Sequence, residues 1–132
     1  MYTSQLIIAG SRDLNINHYK SLVDLLDKWV EKNGLPTHVF SGMCRGVDQL
    51  GELWAFRNNF PVVEFPYDKA LGKAGGPIRN SRMVKEAEGG AVVLYTTRKG
   101  LKFDRGSKDL LYKAERKFGK DNGFVMSGRV DI

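Results

Sequence analysis

Three glycine-bearing turns each carry an arginine: Gly10-Ser11-Arg12-Asp13, Gly42-Met43-Cys44-Arg45-Gly46-Val47-Asp48 and Ala74-Gly75-Gly76-Pro77-Ile78-Arg79-Asn80. The first two directly follow apolar runs of strand character, and the third precedes a helical pattern. In a parallel sheet all three open at the same end. They would then gather free backbone N–H groups, helix N-termini and guanidinium groups, which is chemistry suited to a phosphorylated ligand. In the second turn, Gly42 is expected to take a positive φ and Gly46 to let the backbone approach an oxyanion. Arg45 adds charge, and Asp48 could accept from a ribose hydroxyl. In the first turn, Gly10 ends a strand, Ser11 offers a hydroxyl and Arg12 a forked donor. In the third, Gly75 and Gly76 open a helix whose first turns hold Arg79, Asn80 and Arg82. A tight turn explains any one of these segments alone. The coincidence of three is what points to a shared anion site.

Other side chains near that edge have weaker claims. Tyr67 and Tyr95 follow strand-like runs and could stack on a base, although an aromatic there more often packs on the core or rim. Asp48, Glu52 and Asp68 are the carboxylates placed for acid–base work, with Asp48 and Asp68 the catalytic candidates and Glu52 better suited to a capping or solvated role. Cys44 sits in the second glycine turn, but no histidine is expected beside it to make a nucleophilic pair.

The elements that must position these residues follow from periodicity. The runs Leu6-Ile7-Ile8-Ala9 and Ala91-Val92-Val93-Leu94-Tyr95 are uniformly apolar, the pattern of strands buried on both faces of a parallel sheet. Strands are also expected at 37–41, 60–65 and 124–126, and helices at 17–32, 47–59, from Pro77 to about 88, and after a cap at Ser107 or Asp109. Strands alternating with helices at this spacing predict a single Rossmann-like α/β domain, a three-layer fold with a mainly parallel sheet of about five strands. The basic, aperiodic stretch 96–106 is expected to be a mobile loop, with 98–106 acting as a lid over the crevice.

Composition narrows the function classes. The chain has 132 residues, enough for one core and too few for a second domain. No apolar run approaches the roughly 20 residues of a membrane span. The N-terminus enters a strand without the features of a signal peptide, so a cytoplasmic location is expected. One cysteine excludes an internal disulfide, and His18 and His38 lack metal-ligand spacing, so neither a metal nor a resident cofactor is expected. The net charge of +6 favours anionic partners, and charge alone does not separate a nucleotide from a nucleic acid.

Ala9-Gly10-Ser11-Arg12-Asp13, Ser41-Gly42 through Gly46-Val47-Asp48, Phe65-Pro66-Tyr67-Asp68, and Gly72-Lys73-Ala74-Gly75-Gly76-Pro77-Ile78-Arg79-Asn80 with Met83 follow one another in an order that resembles the YspA/YpsA-related branch of the SLOG superfamily. The resemblance covers roughly positions 6 to 116, and its most specific part is the stretch from Gly72 to Asn80. It implies a Rossmann-like fold that binds nucleotides or nucleotide-derived molecules, commonly as a homo-oligomer, and it adds Lys73 to the expected binding residues. Relatives in the superfamily include the "lonely guy" phosphoribohydrolases and the DNA-processing protein DprA. The phosphoribohydrolases carry P-G-G-x-G-T-x-x-E after the fourth strand. This chain has Gly106-Ser107 in place of the G-T pair, which makes Ser107 a candidate phosphate ligand, and the glutamate position is not filled.

Three functions follow as expectations. The leading one is a module that binds a nucleotide-derived phosphorylated molecule, as a sensor or sequestering protein in bacterial or phage biology. The second is a phosphoribohydrolase-like N-glycosidic hydrolase, with Arg79 on the phosphate and Asp48 or Asp68 assisting departure of the base. The third is a DprA-like nucleic-acid binder using Arg98, Lys99, Lys102 and Arg105, with the steep salt dependence that counterion release produces.

Overall fold

The computed structural model describes residues 2–97 and 104–132. In chain order it comprises β1 (Tyr2–Gly10), a 3₁₀ turn (Ile16–His18), α1 (Tyr19–Asn33), β2 (Leu35–Ser41), α2 (Val47–Arg57) and β3 (Val62–Glu64). A second 3₁₀ turn (Lys69–Ala74), α3 (Gly75–Glu86), β4 (Gly90–Tyr95), α4 (Arg105–Phe118) and β5 (Val125–Arg129) complete it. The five strands form one all-parallel sheet in the order β3-β2-β1-β4-β5. The fold is therefore the expected α/β three-layer, Rossmann-like domain.

The apolar runs explain the layering. Successive residues of β1 point to opposite faces, so Leu6 and Ile8 pack with Leu22, Leu26 and Trp29 of α1 and Leu50 and Trp54 of α2. Ile7 and Ala9 pack on the other face with Met83 and Val84 of α3 and Leu110 and Ala114 of α4. β4 divides in the same way, Val92 and Leu94 to one layer and Ala91 and Val93 to the other. From β1 the chain runs outward through β2 and β3, then returns to place β4 on the opposite side of β1. The point where this order reverses lies between β1 and β4, and in open α/β sheets the ligand crevice forms there, beyond the carboxyl ends of the strands.

Several boundaries differ from expectation. α3 begins at Gly75, so Pro77 is its third residue and not its first, and a 3₁₀ turn replaces the loop before it because the Asp68 side chain accepts from Ala70 N at 2.9 Å. β3 is shorter than 60–65, because Phe60 N bonds the Ala55 carbonyl at the end of α2 and its ring packs on Trp54. α4 is capped by Asp104, not by Ser107 or Asp109: an Asp104 carboxylate oxygen accepts from Ser107 N at 2.9 Å. Arg105 and Gly106 are accordingly helical. Most of the expected lid, including Arg98, Lys99 and Lys102, lies outside the described residues. Among the described residues no helix is long and apolar enough to cross a membrane.

Candidate functional site

A cavity of about 390 Å³ opens at the reversal of strand order. The end of β1 contributes Gly10, Ser11, Arg12 and Asp13, and the turn after β2 contributes Cys44 and Arg45, with Asp48 from α2. Arg79, Asn80 and Met83 come from α3, Thr96 follows β4, and Asp104, Gly106, Ser107 and Leu110 belong to the start of α4.

Gly46 draws the first two turns together. Its φ is 85°, and a Cβ there would meet Arg12 Cα at 2.7 Å as well as the Ser11 carbonyl. The bare backbone thus admits Val47 N to the Ser11 carbonyl at 3.2 Å. The close approach at Gly46 is to the Ser11–Arg12 backbone. Gly42 differs from expectation: its φ is not positive, and Met43 takes the left-handed conformation with φ 62°. Space is what Gly42 provides, since a Cβ there would run into the Arg79 guanidinium and lie 2.9 Å from Asp48 Oδ2.

Arg79 is only 8% exposed. Its guanidinium donates to the Gly42 carbonyl and, through Nε, to Asn80 Oδ1 at 2.9 Å, and its Cζ stands 5.9 Å from the Tyr67 ring centre. No carboxylate lies within 4.0 Å of it among the described residues. The Cys44 sulfur sits between two guanidiniums, 3.5 Å from Arg12 and 3.9 Å from Arg79. Cys44 raises the already high Arg12 pKa, so that side chain stays charged.

Asp48 is buried, and Cys44 N donates to its Oδ2 at 3.1 Å. Desolvation pushes its carboxyl up to about 6, only partly opposed by the Cys44 and Gly10 backbone donors and the Arg79 charge. Glu52 accepts from the Ser41 hydroxyl at 2.6 Å, and that oxygen in turn accepts from Met43 N, so Glu52 braces the turn after β2.

On the β4 side, Ser11 Oγ donates to Asp104 at 2.6 Å and accepts from Thr96 N at 3.0 Å. Thr96 Oγ1 and Ser107 Oγ are buried without a hydrogen-bond partner among the described residues. Asn80 Nδ2 donates to the Gly106 carbonyl at 3.2 Å and to Asp109 at 3.1 Å, fixing α3 to the first turn of α4.

Nine of the expected binding residues line or reach this cavity or its wall: Gly10, Ser11, Arg12, Arg45, Asp48, Arg79, Asn80 and Ser107 line it, and Gly42 holds Arg79. Gly46 supports the wall from behind. Gly75 is buried against Tyr67 and Asp68, Gly76 follows it, Lys73 is exposed, and Asp68 serves as a cap, all outside the lining. Tyr67 is not in the lining and meets the site through the Arg79 guanidinium and the Arg12 charge. Thr96 and Asp104 carry polar atoms in the cavity that the glycine turns do not reveal. Asp104 had a signal, an N-cap residue three positions before Ser107, masked by the basic stretch preceding it.

The YspA, cpYpsA-related SLOG family matches residues 4–72, just over half of the chain. The chain belongs to this SLOG family. No curated protein and no solved structure matches it. The family match runs from β1 through most of the second 3₁₀ turn and takes in the first two glycine turns. The Arg79 turn and the whole β4 side of this SLOG domain lie beyond it.

Proposed function

We propose that this SLOG protein binds a phosphorylated, nucleotide-derived small molecule in the cavity between β1 and β4, with the phosphate on Arg79, Arg12 and Arg45. Family membership supports nucleotide-related binding or processing in general. The observation that carries the finer reading is the buried Arg79 guanidinium. A buried charge with no direct ion pair, and with only Asp48 nearby as an opposing charge, is costly, and a bound anion relieves that cost. The cavity volume, about 390 Å³, is within the range of small-molecule sites. Calorimetric titration with AMP, ADP-ribose, NAD and cyclic dinucleotides tests the reading. At least one should bind, and Arg79→Ala should weaken it by about 10- to 150-fold, the loss of a charge-assisted contact of roughly 1.5–3 kcal/mol. Absence of binding across the panel overturns it.

Asp48 favours a second reading, N-glycosidic hydrolysis. A buried carboxyl raised to about 6 in the cavity is poised to give or take a proton near neutral pH. That reading requires wild-type protein to liberate adenine from AMP at a rate on the order of 1 per second, and Asp48→Asn to abolish it. A release rate equal in the two proteins removes it. The nucleic-acid reading rests on Arg98, Lys99 and Lys102, which lie outside the described residues, on Arg105 at the start of α4, and on the net charge of +6.

A further inference from the structure

We infer that the β4 side of the cavity holds an uncharged vicinal diol, as on a ribose, while the anionic group of the same ligand lies on the β2 side. The inference deepens the binding reading above and rests on it.

Among the described residues, all the cationic groups lining the cavity stand on one side: Arg12 and Arg79 converge on Cys44 in the turn after β2, where Arg45 also stands, and they outnumber the carboxylates Asp13 and Asp48. Across the end of β1, the described polar groups lining the cavity are Ser11, Thr96, Asp104 and Ser107. A helix N-terminus ordinarily attracts phosphate, and α4 presents one here. That terminus is already served by a carboxylate, because an Asp104 oxygen accepts from Ser107 N at 2.9 Å. A phosphate placed there would meet Asp104 at close range.

The second, independent observation is the pair of orphaned hydroxyls. Thr96 and Ser107 are 5% and 4% exposed, line the cavity, and have Oγ1 and Oγ without partners among the described residues. Buried hydroxyls in a folded protein are normally paired. Each Asp104 oxygen also takes a single described donor, Ser107 N on one and Ser11 Oγ on the other, which leaves lone pairs to spare. A diol satisfies this set, since its hydroxyls can donate to Asp104 and both accept from and donate to Thr96 and Ser107. An ammonium group only donates and would leave the two hydroxyl protons without an acceptor. A phosphate accepts from the hydroxyls but opposes the carboxylate.

Calorimetric titration of the full chain with ribose 5-phosphate, 2-deoxyribose 5-phosphate and inorganic phosphate tests this. The deoxy sugar keeps the phosphate and loses the vicinal diol. Wild-type protein should bind ribose 5-phosphate at least about 10-fold more tightly than the deoxy compound. In Thr96→Val combined with Asp104→Asn, which preserves shape and keeps a competent helix cap, the ratio should fall to within about 2-fold while affinity for inorganic phosphate is unchanged. If a variant does not fold, the wild-type ratio alone decides. Equal binding of the two sugars by wild type overturns the diol and leaves the phosphate reading standing. A large gain in inorganic phosphate affinity on Asp104→Asn also overturns it, because the anion then sits at α4. If none of the three probes binds, the binding reading and the diol fall together.

Discussion

Helices α2 and α4 both begin at the same cavity, and they begin differently. α2 starts at Gly46 with no side-chain cap among the described residues, close to Arg45 and Arg79, and its only acidic group in the first turn is the buried Asp48. α4 starts behind Asp104, whose carboxylate accepts the first-turn N–H of Ser107. One terminus leaves its first N–H groups without a side-chain cap, and the other has a capping carboxylate built in. Two helix ends in one cavity therefore need not be two anion sites, and the capping residue decides which is open.

The largest effect is expected at Gly46. Gly46→Ala should cost about 3 kcal/mol in urea unfolding, because φ is 85° and the added Cβ would meet the backbone of Ser11 and Arg12. A cost below about 1 kcal/mol would mean that the seam between β1 and α2 is not tight, and the open character of the α2 terminus would lose its basis.

A slightly smaller effect is expected at Asp48. Burial raises its folded pKa to about 6, above the ordinary 3.8, so the folded state prefers the protonated carboxyl. The preference is fully present below about pH 4 and is lost as pH rises through 6. Wild-type stability should fall across that window by on the order of 2–3 kcal/mol from this group. Asp48→Asn should be flat there, keep an acceptor for Cys44 N, and be the more stable protein at pH 7. Unfolding curves at pH 4, 5, 6 and 7 check the sign. The smallest effect is at α4, where Asp104→Ala should cost about 1 kcal/mol and Asp104→Asn less, since asparagine still caps. Equal costs would indicate that Asp104 acts there through its charge and not through its cap geometry.

Much of this was open to a reader of the sequence. β1 and β4 were legible because a strand buried on both faces must be apolar at every position, and Leu6 to Ala9 and Ala91 to Tyr95 are. The arginine-bearing turns were legible because glycine at the end of such a strand has few other uses. Where the sequence misled, long-range contact had decided the outcome. Gly42 looked like a residue chosen for φ, but its constraint comes from Arg79, 37 residues away. The start of α3 moved from Pro77 to Gly75 because proline is tolerated throughout a first helical turn, where its missing N–H is unpaired in any case. The bonds from Ser11 to Asp104 and from Thr96 N to Ser11 have no local pattern, since each joins the residue just after β1 to one 85 or more positions later.

The Ser11–Asp104 hydrogen bond joins residues 93 apart in sequence, and Thr96 reaches Ser11 across 85. No fragment of the chain can assemble the cavity alone. The early part, β1 to β3, supplies arginines with nothing to enclose, and the pocket closes only after β4 has docked along β1. Contacts of such high order form late and slowly. Occupancy of the cavity consequently reads out completion of the whole domain: a molecule present at 100 times its Kd adds about 2.7 kcal/mol to global stability, protecting strands that it never touches.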